Sequence, residues 1–437
     1  MQEKIRLKKE LGLTEAVLCG IGIILGAGIY VLIGETAGLA GNALWLSFLF
    51  ATTVAAFTGL SYAELSSMYP KAGAEFEYTK HAFGRMPGFV VGWMTIIAGI
   101  VSASAVALGF GGYLFNLSPL IGLPQIPVVL AAILLIILCS LIVFIGIKQS
   151  AIIAIVFTLI EAFGLILIIF IGLPFIGSVD LMEMPLGLTG VLSGAALIFF
   201  AFLGFEEMVR MSEETKNAEK TIPKALMLAI IITAIIYILV GITVVSVIPW
   251  QELAVSSAPL ALVAEKILGS SGGLLLSVIA LFSTSNTVLL ILLATSRIVF
   301  GIGEDKEFPN IVARIHPKTQ TPYIAIILVM VIAIAFALVQ DISFIANATD
   351  FLLFAIFIAI NLAVVYLRVK EPETKRAFRI PLNIKNIPVL PFLGVISCVA
   401  LITHIEFTVI LLATGMVFLG IIFFDATHRM FKRSAKA

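Results

Sequence analysis

The chain has 437 residues, 61% hydrophobic and only 12% charged, with a mean hydropathy of +1.16. Soluble domains carry about 25% charged residues, so these values exclude a soluble globular protein and point to a polytopic membrane protein in a lipid bilayer. The net charge of +1 lacks the basic face that a nucleic-acid partner needs. Cys19, Cys139 and Cys398 lie in separate apolar runs, and the four histidines are scattered beside run ends. Neither a disulfide framework nor a metal site is expected from them.

The basic start "MQEKIRLKKE" leads into a long apolar run without a small-residue cleavage site. It reads as a retained first span, not a removed signal. A span needs about 20 apolar residues. Such runs occur near 13–36, 43–66, 87–116, 126–146, 149–174 and 190–210. Six more lie near 224–248, 272–302, 322–340, 345–368, 388–404 and 407–425. Twelve spans leave only short loops and tails, with no room for a soluble catalytic domain. An even count puts both termini on one side, and 26 of the 27 Lys and Arg fall on that side, Lys266 being the exception. Cytoplasmic loops are enriched in Lys and Arg, so the plasma-membrane protein is expected with both termini cytoplasmic. An error of one span would scramble the alternation.

The first run contains "GIGIILGAGIYVLIG", with Gly26-Ala27-Gly28 at its middle. Each interior glycine costs about 1 kcal/mol of helix propensity relative to alanine. Non-helical backbone at membrane depth is tolerated only inside protein or beside a water-filled cavity. A second glycine-containing break falls in the sixth run, "ALIFFAFLGFEEMVRMSEE", around Gly204. The two runs are the first members of segments 1–5 (13–174) and 6–10 (190–368), with 388–425 forming a final pair. Breaks at matching positions of two halves mark a transporter's central site. An odd number of spans per repeat makes the copies inverted. A broken helix exposes N–H groups on one side and C=O groups on the other, which suit the carboxylate and ammonium of a zwitterion. The competing use of these glycines is close helix packing through small residues.

These residues resemble the first-helix signature of the amino acid–polyamine–organocation transporters. "YAELSSMYPKAGAEFEYTKHAFG" resembles that family's segment after helix 2, with Ala74 where a second glycine is usual. "FFAFLGFEEMVRMSEETKNAEKTIPKAL" resembles its helix 6 and following loop, with Ala218 in place of proline. "STSNTVLLILLATSRIVFGIGEDKEFP" resembles helix 8, with Lys306 for a common glycine, and "LRVKEPETKRAFRIP" the loop after helix 10. The resemblance implies an all-α fold of 12 transmembrane helices in five-plus-five inverted repeats, with helices 1 and 6 broken and two further C-terminal helices. It implies amino acid substrates and no cofactor. Carried over by residue, the backbone of Ile24, Gly26, Ala27 and Gly28 would hold the substrate α-groups. That of Phe200, Ala201 and Leu203 would complete the ammonium side. Phe200 or Phe202 would act as an aromatic gate, unless either is a packing or lipid-facing ring.

Intramembrane ionisable residues are expensive and suggest function. Glu161 lies 13 residues after Lys148 and 13 before Pro174, about 20 Å from either end at 1.5 Å per residue. It is the expected site of proton coupling; the alternative is a protonated structural Glu. Family members often carry a lysine near this point of helix 5, and this chain departs from that. Glu206 and Arg210 are four apart and can pair on one helix face; with Glu64 and Glu207 they read as gating or anchoring charges, or as solvated helix ends. Ser283, Thr284 and Ser285 lie midway along helix 8, where hydroxyls of sodium-coupled relatives help bind the ion. Bonding back to their own helix is the competing reading, and sodium is the less expected ion. The third run, with Ala98 and Ala103, contains no acid. That favours small neutral or aliphatic L-amino acids over cationic amino acids or polyamines, the alternative substrates. A passive channel would not need paired breaks, and no nucleophile–base constellation for an enzyme is present in the sequence.

Overall fold

The computed structural model describes residues 11–69, 74–304 and 310–434, except the side chains of 147–155, 210, 213–214, 304, 310 and 427–434. The first run forms α1 (Leu13–Ile24) and α2 (Gly28–Ala40), interrupted between them. There follow α3 (Leu44–Met68), α4 (Ala74–Phe83), α5 (Arg85–Leu120), α6 (Val128–Ile145) and α7 (Ile147–Gly172). The sixth run starts as α8 (Gly187–Ile198), then narrows to 3-10 segments at Phe199–Phe202 and Glu206–Glu214. After it come α9 (Ala218–Val247), α10 (Trp250–Val255), α11 (Pro259–Leu268), α12 (Ser270–Glu304), α13 (Tyr323–Ala337) and α14 (Ile342–Lys370). A two-stranded antiparallel hairpin, β1 (Asn383–Ile384) and β2 (Ile387–Pro388), precedes α15 (Leu390–Ile402) and α16 (Phe407–Ser434).

Among the described residues nine stretches are long and apolar enough to cross a membrane, and α1, α13 and α15 are shorter apolar helices. One of the nine, Gly28–Met68, spans both α2 and α3. Side-chain placement agrees with a lipid surround. On α6 the exposed residues Leu130, Leu134, Leu138 and Leu141 recur at helical spacing, while Ala131, Ala132, Leu135, Ile136 and Cys139 are buried. In water that exposed stripe would be polar. The chain is an all-α, multi-pass membrane protein.

The longest helix, α5, packs against α12, α14 and α6, while α9 packs on α3 and α1, and α2 on α8. The two interrupted segments are thereby enclosed by α5, α9, α12 and α14. The short helices α4, α10 and α11 were not foreseen in the sequence. Their places correspond: α4 lies between the second and third predicted spans, and α10–α11 between the seventh and eighth. At one end of α14 a buried ion pair joins distant parts of the chain. Arg368 donates through Nε to Glu64 Oε1 at 2.5 Å and through a second nitrogen to Oε2 at 2.6 Å. Arg376 Nε lies 3.2 Å from the same carboxylate, and the Ile380 amide donates to it at 2.9 Å.

Candidate functional site

At the first break the chain leaves the helix after Ile24 and resumes at Gly28. Its backbone groups are met by side chains of other helices. The Ala27 amide donates to Thr287 Oγ1 on α12 at 3.0 Å. The Tyr237 hydroxyl on α9 reaches the Ile24 carbonyl at 2.7 Å and the Ala201 carbonyl, in the second break, at 2.9 Å. One phenol proton thus serves an acceptor from each break.

The second break turns at Gly204, whose φ of +110° is a conformation other L-residues rarely adopt. Its amide donates to Glu206 Oε2 at 3.0 Å. A Cβ at Gly204 would also stand 2.9 Å from the Ile23 carbonyl oxygen. The breaks therefore touch. At Gly28 an added Cβ would lie 2.7 Å from Ala201 Cα and 3.1 Å from the Phe200 carbonyl oxygen.

A cavity of about 310 Å³ opens beside this junction, within the size range of small-ligand sites. Ile24, Gly26, Ala27, Gly28, Phe200, Ala201 and Leu203 all line it. It is also lined by Thr95, Ala98, Gly99 and Ser102 of α5, Leu290, Ile291 and Ala294 of α12, and Leu353 and Ile356 of α14. Tyr62, Glu75, Glu206, Glu207 and Arg297 also line it.

The remaining predicted residues separate. Phe200 lines the cavity, whereas Phe202 is fully buried with its ring 5.3 Å from that of Tyr237 in an edge-on contact. Glu206 caps the turn at Gly204, as noted; the proposed Glu206–Arg210 pair lies outside the described residues, as do the 70–73 turn and Lys306. Glu64 anchors the end of α14. Ser285 donates to the Leu281 carbonyl at 2.6 Å and Thr284 to that of Ala280 at 2.7 Å, so both hydroxyls bond back to their own helix.

Glu161, on α7, is fully buried and lines the cavity. Its carbonyl accepts from the Tyr30 hydroxyl at 2.7 Å, and Tyr113 donates to the Tyr30 carbonyl at 2.9 Å. Neither carboxyl oxygen has a hydrogen-bond partner, and the adjacent Ser283 hydroxyl has none either. Nearby Asn286 donates to Thr158 Oγ1 at 3.3 Å and leaves its own Oδ1 unpartnered. Thr158 in turn presses on the first helix, where a Cβ at Gly22 would meet its methyl at 2.5 Å. The seam between α7 and α12 is thus rich in acceptors, directly behind the first break.

Sequence reasoning missed Tyr237, Thr287, Arg297 and Asp350. Tyr237 and Thr287 are single polar groups in apolar runs, with no pattern to reveal that they meet broken backbone. Asp350 is an acid inside a predicted span, and the rule that singled out Glu161 applies equally to it.

The chain matches the model of the amino acid permease family over residues 11–424. It is 28% identical to a branched-chain amino acid permease of Bacillus subtilis (strain 168), over 96% of this chain and 92% of that one. It is 30% identical to a methylthioribose transporter of the same organism, over 90% and 87% of the two chains. A vacuolar cationic amino acid transporter 4 of Arabidopsis thaliana is also 30% identical, over 84% of this chain and 64% of its own.

Proposed function

The chain belongs to the amino acid permease family, within the amino acid–polyamine–organocation superfamily, and from that premise we propose a proton-coupled transporter of small neutral or aliphatic L-amino acids. It works by alternating access. The observation that carries this reading is the junction of the two breaks, held by Tyr237 beside a cavity whose lining from α5, α12 and α14 is mainly apolar. An amino acid's carboxylate and ammonium meet backbone dipoles there, and its side chain meets Ala98, Leu290 and Ile291. The branched-chain permease among the relatives agrees with such a lining.

In this reading twelve helices cross the plasma membrane with both termini in the cytoplasm. Residues 13–174 and 190–368 form the inverted repeats. Each begins with a broken helix, and each carries short helices between its second and third spans, α4 in one and α10–α11 in the other. Glu161 carries the coupling proton: its carboxyl has no partner, stands behind the first break, and reaches the cavity.

A second reading, transport or exchange of cationic amino acids or polyamines, is favoured by one observation. The same Glu161 carboxyl, with Glu75, Glu206 and Glu207, gives the cavity four acids against one cation, Arg297. Counterflow in proteoliposomes separates the two. Labelled L-isoleucine should be displaced by L-leucine and L-valine and poorly by L-arginine or putrescine. Strong displacement by arginine would favour the second reading.

A further inference from the structure

Asp350 is the one buried acid in the described spans that neither the breaks nor the ion pair at the end of α14 accounts for. It lies nine residues into α14, with 0% of its surface exposed, and neither carboxyl oxygen has a hydrogen-bond partner. The group it approaches is the backbone amide of Phe200, in the second break. An isolated carboxylate away from water is far more expensive than its neutral acid. Unless a partner is supplied, the group must hold its proton.

No charged group among the described residues supplies one. The 3-10 segment Phe199–Phe202, α8 and β2, which pack on α14, contain no titratable residue. On α2, Tyr30 is bonded to Glu161, and Glu35 acts on Asp341 at the start of α14, about 13 Å from Asp350 at 1.5 Å per residue. On α3 and α5, Tyr62 contacts Glu75, Tyr113 is bonded to Tyr30, and Glu64 is held by Arg368. Arg368 is 18 residues further along the helix, about 27 Å away. Tyr366, Lys370, and the α4 groups Glu77, Tyr78, Lys80 and His81 gather at that same end, where Lys370 donates to the His81 carbonyl. Arg85 follows α4 directly, and Asp425 follows Phe423 and Phe424, which pack on Phe89 near the start of α5. Cys398 of α15 lies beside Thr58, a partner of Asn361, 11 residues beyond Asp350.

We propose that Asp350 is a second proton-binding site, acting on the second break as Glu161 acts on the first; this rests on the transport reading above. With its proton on, the carboxyl makes no hydrogen bond to the Phe200 amide. When the O–H bond breaks and the proton passes to water admitted by a change of state, the carboxylate accepts from that amide. The proton therefore controls a backbone donor in the segment that lines the substrate cavity. The two sites stand on the last helix of each half, α7 and α14, each against the break of one half.

Infrared difference spectra of the purified protein across a pH step, in H₂O and D₂O, test the site without any substrate. Asp350→Asn should lose a protonated-carboxyl band that Glu161→Gln retains. Should Asp350→Asn fail to insert, Asp350→Glu serves, and its band must move. Unchanged spectra in either variant would overturn the site. In proteoliposomes with an imposed pH gradient, Asp350→Asn should accumulate labelled L-isoleucine several-fold less than the parent while counterflow continues. Equal accumulation would overturn its role in coupling. A parent that carries no amino acid would refute the transport reading, whereas the spectra judge the proton site independently.

Discussion

At Gly28 an added Cβ would stand 2.7 Å from Ala201 Cα, whereas at Gly26 its nearest neighbour would be Thr287 Oγ1 at 3.1 Å. Backbone of a second packed segment cannot yield as a threonine rotamer can. Overpacking of this kind costs about 1–3 kcal/mol. Gly28→Ala is therefore expected to lower the thermal unfolding midpoint in detergent and to separate the two breaks. Gly26→Ala should keep the midpoint and weaken stabilisation by L-isoleucine. Equal midpoints would show that the contact at Gly28 is not structural. Tyr237 raises a related question, since its hydroxyl alone reaches carbonyls of both breaks. A hydrogen bond contributes about 0.5–1.5 kcal/mol net, so Tyr237→Phe should weaken L-isoleucine binding by up to about tenfold. Its ring packing on Phe48 and Phe202 remains. Unaltered affinity in a thermal-shift titration would show that the hydroxyl does not set the site's geometry.

Among the elements, the end of α14 is fixed by a charge network whose members are far apart in sequence. Glu64 on α3 holds Arg368 on α14, Arg376 and the Ile380 amide. Arg368 also exchanges hydrogen bonds with Asn386, in the turn of the hairpin, through its guanidinium at 3.5 Å and its carbonyl at 2.9 Å. Removing one partner of a buried pair costs about 3–5 kcal/mol, because the other is left charged and uncompensated. Glu64→Gln should therefore lower the thermal midpoint clearly more than Arg368→Leu: it leaves the buried guanidiniums of Arg368 and Arg376 without a counter-charge, whereas Glu64 in the Arg368→Leu variant keeps Arg376 and the Ile380 amide. The reverse order, measured by thermal unfolding in detergent, would place the cost on the carboxylate. The sequence shows both residues, but not their partnership: 304 positions separate them. Helix positions were legible because a bilayer imposes long apolar runs. The connecting helices were not, since α4 mixes charge with apolar residues and α10 is only six residues long. The breaks were legible from Gly26, Gly28 and Gly204, but their mutual contact was not. The two serines differ for a local reason that the sequence does not show: the Ser285 hydroxyl has a carbonyl of its own helix within reach, whereas that of Ser283 faces Glu161.

For the molecule as a whole, transport against a gradient requires that outward and inward states hold the coupling ion with different affinities. In the proposed function Glu161 takes this part: it is buried, its carboxyl is unpartnered, and it lines the cavity behind the first break. A motion of α1 would change its surroundings through Thr158, which lies against Gly22. Opening that seam to water would let the carboxyl ionise; closing it would favour the neutral acid. Glu161→Gln keeps the shape of the protonated side chain and cannot release a proton. The variant is expected to exchange L-isoleucine across the membrane at a rate near the parent's. It should fail to concentrate L-isoleucine when a pH gradient is imposed without sodium. Adding a sodium gradient should not restore accumulation, because the proposed mechanism has no step for that ion. Accumulation by Glu161→Gln equal to the parent's would make Glu161 structural. Rescue by sodium would instead assign the acceptor-rich seam of Ser283 and Asn286 to that cation.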